Sequence, residues 1–160
     1  LRNPQKAFSH EYSGDAYYQL ENPEAALYHY RNALNVLKHD KKHSIEWANQ
    51  IAQKAGIAAI QANKLNLAKQ YFMEILKRDK ENRTAHGFLT IINKVQQLEN
   101  HLQTNPGNAD IMVEIANSYF TLRNYTAAKT YVNRALSQQK KHVKAMEMLD
   151  TLEIILETEF

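Results

Sequence analysis

The sequence predicts an all-α fold of about eight antiparallel helices stacked as a solenoid, and three observations carry that expectation. The first is a repeat. Gly14 is followed by Tyr17, Ala26, Tyr30 and Ala33; Gly56 by Ala59, Ala68, Phe72 and Ile75; Ala116 by Tyr119, Ala128, Val132 and Ala135. The offsets are +3, +12, +16 and +19 each time, and such a shared spacing marks one supersecondary unit used repeatedly. The second is composition. Four Gly and three Pro in 160 residues are too few for a turn-rich sheet protein, and no long alternation of β-branched residues appears. The third is punctuation, because breakers such as Asn22-Pro23, Asn63-Lys64 and Asn105-Pro106-Gly107-Asn108 separate the periodic stretches.

Each element follows from these signals. Asn3-Pro4 reads as a cap followed by proline at the first helical position, where a missing N–H is harmless. Asn22-Pro23-Glu24 repeats the signal, giving helices over roughly 4–20 and 23–38. The basic stretch Lys38 to His43 separates this pair from the next. Ser44 opens a helix through Trp47, Ile51, Ala55 and Ala58 to about Ala62, and Leu65 to about Arg78 forms its partner. Arg83–Thr104 keeps helical spacing at Ala85, Phe88, Ile92, Val95, Leu98 and Leu102 with no turn residue between. It therefore reads as one long helix of about 33 Å. After the strongest breaker come helices over about 109–121 and 125–138, then a last one over about 142–157. Val143, Met146, Leu149, Leu152 and Ile155 are expected to form the apolar side of that final, capping helix.

The repeat has a physical logic. Antiparallel helices approach closely only where small side chains meet, which pairs Gly14 with Ala26, Gly56 with Ala68 and Ala116 with Ala128. Tyr17, Tyr30, Phe72 and Tyr119 then fill the wedge between helices, at about 2–3 kcal/mol for each well-buried ring. Each hairpin leaves an apolar face that the next one covers.

At these residues the chain resembles the tetratricopeptide repeat (TPR) family. The resemblance rests on Gly14-Asp15-Ala16-Tyr17-Tyr18 with Ala26-Leu27, Tyr30 and Ala33-Leu34. It rests equally on Ile115-Ala116-Asn117-Ser118-Tyr119 with Tyr125, Ala127-Ala128, Tyr131 and Ala135-Leu136. It implies a right-handed solenoid forming a single domain over 1–160, with matched repeats at about 7–40, 49–82 and 109–142. The long helix at about 83–104 and the capping helix at about 142–157 complete it. Ile75 stands where the family prefers alanine, and Lys38, Lys80 and Lys140 stand where it often has proline.

The resemblance implies a non-catalytic module that binds a peptide or partner protein in a concave groove and recruits it to a larger parent protein. The first helix of each pair lines that groove. This assigns the groove to Glu11, Asp15, Tyr18, Gln53, Ile57, Ile60, Val113, Asn117 and Phe120. The lining suits hydrophobic anchors, with a basic residue near Glu11 and Asp15; the alternative role of some of these positions is packing. One subset of the family grips a carboxylate tail with a lysine and two asparagines. Here Glu11, Asp15 and Lys54 occupy those places, so an anionic tail would meet two carboxylates and be penalised. Trp47 is expected to cover the edge between the first two pairs, the alternative being a partner's anchor point.

Other functions find little support. His39 and His43 have the four-residue spacing of two helical metal ligands, but they sit among Lys38, Lys41 and Lys42, which repel a cation. His10, His29, His86, His101 and His142 show no catalytic arrangement. The basic connectors Lys38–His43 and Lys140–Lys144 lack the interleaved aromatics of single-strand binders, so no nucleic acid is expected. No catalytic residue, cofactor site or metal site is assigned, because no phosphate loop, nucleophile elbow or paired-acid motif occurs. Net charge is +3, and no apolar run approaches a membrane span. The lack of cysteine suits cytoplasm or periplasm and selects neither. Beginning at Leu1 without Met, the chain reads as a piece of a longer protein, and bacterial origin is expected. Two further roles stand as alternatives: a self-association scaffold dimerising through the long or final helix, and a secretion-type chaperone.

Overall fold

The computed structural model describes residues 4–38 and 44–158. Among them are eight α-helices: α1 (Pro4–Gln19), α2 (Pro23–Lys38), α3 (Ile45–Gln61), α4 (Leu65–Arg78), α5 (Arg83–Thr104), α6 (Ala109–Thr121), α7 (Tyr125–Gln138) and α8 (Val143–Thr158). The described residues contain no strand. The fold is all-α, as the periodicity predicted, and TPR-like, as the resemblance implied. It divides into two compact units, Leu1–Leu89 and Thr90–Phe160, with the division falling inside α5.

In the first unit α1 pairs with α2, α3 pairs with α4, and α2 packs on α3. In the second α6 pairs with α7, and α7 packs on α8. The turns inside the three hairpins share one construction. Glu21, Asn63 and Arg123 adopt the left-handed conformation, at φ 55°, 57° and 59°, each seven positions after the repeat's small residue. The following N–H groups of Asn22, Lys64 and Asn124 donate back to the carbonyls of Tyr17, Ala59 and Tyr119 at 2.9, 2.8 and 3.0 Å. This satisfies carbonyls that the helix end leaves unpaired. Asn22 and Asn124 then cap the next helix, their side-chain oxygens accepting from Ala25 and Ala127 N–H at 3.1 and 3.0 Å. Capping of this kind is worth about 1 kcal/mol.

The close approach differs from the expected pairing with alanines. A Cβ on Gly14 would lie 2.5 Å from the Tyr30 ring, and one on Gly56 would lie 2.7 Å from the Phe72 ring. The glycines are therefore opposed by the aromatic residues sixteen positions on, because the ring needs the volume that a Cβ would take. Ala116 is followed at the same offset by Val132, and both are fully buried. A smaller partner leaves room for the extra methyl. Tyr30, Phe72 and Tyr119 are buried as predicted, but Tyr17 is 39% exposed. It stacks on His29 at the surface, with ring centroids 5.3 Å apart, and so fills no interior wedge.

Two other elements refine the reading. In α5 the buried positions are Ala85, Ile92, Val95 and Leu102, while Phe88 stacks on Phe72 with centroids 4.5 Å apart. In α8 the buried residues are Ala145 and Leu152, while Val143 and Met146 are exposed. Met148, Leu149, Ile155 and Leu156 are half-buried, so the predicted strip holds at 149, 152 and 155 and fails at 143 and 146, where Ala145 takes the inward place. His142 sets this start: its Nδ1 accepts from Ala145 N–H at 3.3 Å, and its Nε2 faces Asp110 Oδ1 at 3.0 Å.

Candidate functional site

The groove positions fall in both units, and each unit's seam between first helices is distinct. In the first unit the seam lies between α1 and α3. Lys54 Nζ donates to Glu11 Oε1 at 2.7 Å and to Asp15 Oδ2 at 2.8 Å. Trp47 Nε1–H donates to Glu11 Oε2 at 2.7 Å, and Tyr30 O–H donates to Asp15 Oδ1 at 2.7 Å. Burial opposes the Lys54 charge, but the hydrogen bonds to Asp15 and Glu11 outweigh it and hold its pKa above the usual lysine value. Burial and the bond to Asp15 push the Tyr30 phenol far up. Both members of the acidic pair expected to meet a partner's basic residue are thus already engaged by Lys54 from within the chain, with one negative charge left over. Trp47 also stacks against Phe8, with centroids 4.4 Å apart, which is the covering role expected of it.

The remaining first-unit positions are mixed. Ile60 is fully buried, so it offers a partner no surface and belongs to the core. Its predicted groove role is corrected on that ground. Gln53 and Ile57 are half-buried and Tyr18 is partly exposed.

In the second unit Val113, Asn117 and Phe120 come together. With Glu114 of α6 and Lys144, Glu147, Met148 and Thr151 of α8 they line a pocket of about 430 Å³. Phe120 is held by an edge-on contact with Tyr125, centroids 5.4 Å apart. The two seams occupy equivalent positions. Counted from the repeat's small residue, Glu11 corresponds to Val113 and Asp15 to Asn117, each 102 positions on. Lys54 lies two before Gly56, and Met148 lies two before Asp150, which follows Ala116 by one 34-residue step. Where the first unit has a charged bridge at these three positions, the second has Val113, Asn117 and Met148, which carry no charge, and the seam between them is open.

In the same unit α5, α6 and α7 are tied by a half-buried carboxylate. Glu99 Oε1 accepts from Tyr131 O–H at 2.9 Å and Tyr119 O–H at 3.3 Å. Burial first, and then this carboxylate, push the Tyr131 phenol up to about 12 and the Tyr119 phenol further still.

Sequence reasoning missed three features. Lys54 was compared with a ligand-binding asparagine, although its step from Tyr12 equals the 42-residue step between the first two repeats, which places it beside Glu11 and Asp15. The α8 half of the pocket was missed because α8 was read only as a cap. His10 and His29, taken as scattered, meet with Nδ1 atoms 3.3 Å apart. Among the described residues no group of three or more His, Asp or Glu residues is placed to hold a metal. His39 and His43 lie outside the described residues. Among the described residues no helix is long and apolar enough to cross a membrane.

Paired helices joined by a common turn and opposed through small residues define an α-helical repeat protein. Residues 109–142 match the tetratricopeptide repeat family, and the fold around them is TPR-like. The chain is similar in structure to MamA protein, with a TM-score of 0.49 and 13% identity over 92% of this chain and 81% of that one. The TPR domain of P58(IPK) matches with a TM-score of 0.50 and 13% identity, covering 95% of this chain and 56% of that one. The TPR2AB domain of yeast Sti1, in its complex with pHSP90, matches at 0.41 and 13% identity over 98% of this chain and 86% of that one. At 13% identity the likeness to the P58(IPK) domain speaks for the fold alone. No curated protein sequence matches the chain.

Proposed function

We propose that this chain is a non-catalytic protein-interaction module, and that the α6–α8 pocket is where a partner's peptide segment anchors. Folds of this family generally mediate protein–protein interaction. The observation that carries the reading is the contrast between the seams. Lys54 closes the α1–α3 seam by binding both carboxylates. The equivalent α6–α8 seam leaves about 430 Å³ open between Phe120, Val113 and Met148. An apolar floor with a few polar groups on its walls is what a side-chain anchor site requires. Asn117 and Thr151 supply those groups. Of the expected groove, Val113, Asn117 and Phe120 are the proposed contacts, with Glu11, Asp15, Tyr18, Gln53 and Ile57 secondary.

Peptides selected from a displayed random library on the immobilised protein test this. Their addition should shift the backbone amide resonances of α6 and α8, and Phe120→Ala should weaken them at least about tenfold, the loss expected for an anchor contact. Shifts confined to other helices refute the assignment.

A second reading, self-association, draws on one observation. Phe8, Tyr12 and Leu20, along one side of the first helix and its end, are 59%, 79% and 74% exposed. Sedimentation across a dilution series decides it. A monomer at every concentration removes this reading, and a dimer abolished by Tyr12→Glu supports it.

A further inference from the structure

Resting on the docking reading above, we propose that the segment recognised by the α6–α8 pocket is basic. An apolar side chain seats on Phe120, Val113 and Met148, and an adjacent lysine or arginine is held by Glu114 and Glu147.

The charge distribution points this way. The chain as a whole is net +3, yet α6 and α8 together carry six Asp or Glu residues and a single lysine, Lys144. The two helices that line the pocket are therefore strongly acidic within a basic protein. Glu114 and Glu147 stand on opposite walls of the pocket. Both are exposed, and neither forms an ion pair among the described residues, whereas Glu11 and Asp15 share Lys54 and Glu153 pairs with Lys129 at 3.6 Å. Counting Lys144, the lining keeps an excess of one negative charge at neutral pH.

Each seam thus treats cations differently. In the first unit the chain supplies its own ammonium to two carboxylates. In the second the equivalent of Lys54 is Met148, and the carboxylates on the walls await a cation from elsewhere. A partner supplying one gains complementary charge and faster encounter, while an acidic segment meets repulsion from both walls.

Three fluorescein-labelled peptides of about twelve residues test the inference by polarisation. All share a central Leu-Phe pair; their flanks are Lys-Ser, Glu-Ser or Gln-Ser. The basic peptide should bind about tenfold tighter than the neutral one, the sum of two exposed charge pairs, and the acidic peptide weakest. That advantage should shrink between about 50 and 500 mM NaCl. It should disappear in Glu114→Gln/Glu147→Gln and grow in Lys144→Glu; all three sites are exposed, so the fold should be unaffected. Equal binding of the three peptides, a preference for the acidic one, no binding by any, or an unchanged basic advantage in the double variant overturns the inference. If Phe120→Ala weakens all three peptides alike and no basic preference exists, docking stands and the charge inference alone falls. Binding indifferent to both Phe120→Ala and Met148→Ala sinks the docking reading itself.

Discussion

Gly56→Ala isolates the contact on which the hairpins depend. Alanine is the better helix former by about 1 kcal/mol, so a bare propensity argument predicts stabilisation in the middle of α3. The structure predicts the reverse. The new Cβ would sit 2.7 Å from Phe72 Cζ and 2.8 Å from Cε2, which demands a retreat of about 0.7 Å to reach ordinary contact at 3.4 Å. Phe72 is fully buried and has Phe88 stacked against it at an interplanar angle of 8°, so the ring has nowhere to go. Overpacking of this kind costs about 1–3 kcal/mol, which leaves a net loss of about 1 kcal/mol after the propensity gain. Gly87 is the control, because a Cβ there meets nothing within 4 Å; Gly87→Ala should stabilise by up to about 1 kcal/mol. For a chain of this size the two variants should melt on opposite sides of the wild type, each by about 2–4 °C. Combining Gly56→Ala with Phe72→Val reproduces the Ala116–Val132 combination of the third hairpin. The double variant should then be more stable than the sum of the single effects by at least about 1 kcal/mol. Urea denaturation followed by circular dichroism supplies all four values. A Gly56→Ala protein as stable as Gly87→Ala, or strict additivity with Phe72→Val, would refute the claim that the glycine exists to admit the ring.

Three further outcomes are expected. Glu21→Gly should stabilise by about 0.5–1 kcal/mol, because glycine adopts the left-handed turn position (φ 55°) without strain; a loss in urea melts would show that the Glu21 side chain contributes more than its backbone costs. Lys54→Met should destabilise the first unit by about 1 kcal/mol, a value discounted for its partial exposure, and adding Glu11→Val and Asp15→Asn should recover most of it; no recovery would mean that the bridge is not a self-contained unit. Finally, Tyr131 has a folded pKa pushed up to about 12 against an ordinary value of 10.0. Its contribution is fully present below pH 10 and is lost as pH rises toward 12, since the unfolded state releases its proton first. Urea melts should show stability falling over that window, and Tyr131→Phe should make the fall shallower; an unchanged slope would remove Tyr131 as its source.

The hairpins were legible because they rest on contacts of short sequence separation. The small residue, the left-handed turn seven positions on and the ring sixteen positions on are fixed by one helix, one turn and one return. What sequence reading got wrong concerns rotation about helix axes. Tyr17 was placed in the wedge and Val143 and Met146 on the inner side of α8. An α-helix turns by about 100° per residue, so an error of one or two positions in choosing the inward strip moves a side chain from core to solvent. The pairing of His10 with His29 needed the same rotational register across the first turn, which composition and spacing alone leave open.

The functional seam was harder to read for a different reason. Which unit offers a site depends on three positions per seam, drawn from helices about 34 to 42 residues apart. The fold places no demand on their chemistry. Glu11, Asp15 and Lys54 satisfy each other by charge; Val113, Asn117 and Met148 cannot, yet the helices that carry both sets pack in the same pattern. A repeat protein stabilised by small-to-large contacts inside each hairpin is free to vary the residues between hairpins. Recognition can be placed there without disturbing the core. Similarity of fold therefore reports the hairpins and says nothing about the occupant. The charges of Glu114, Lys144 and Glu147 say more, because among the described residues these side chains form no ion pair and are available to another chain.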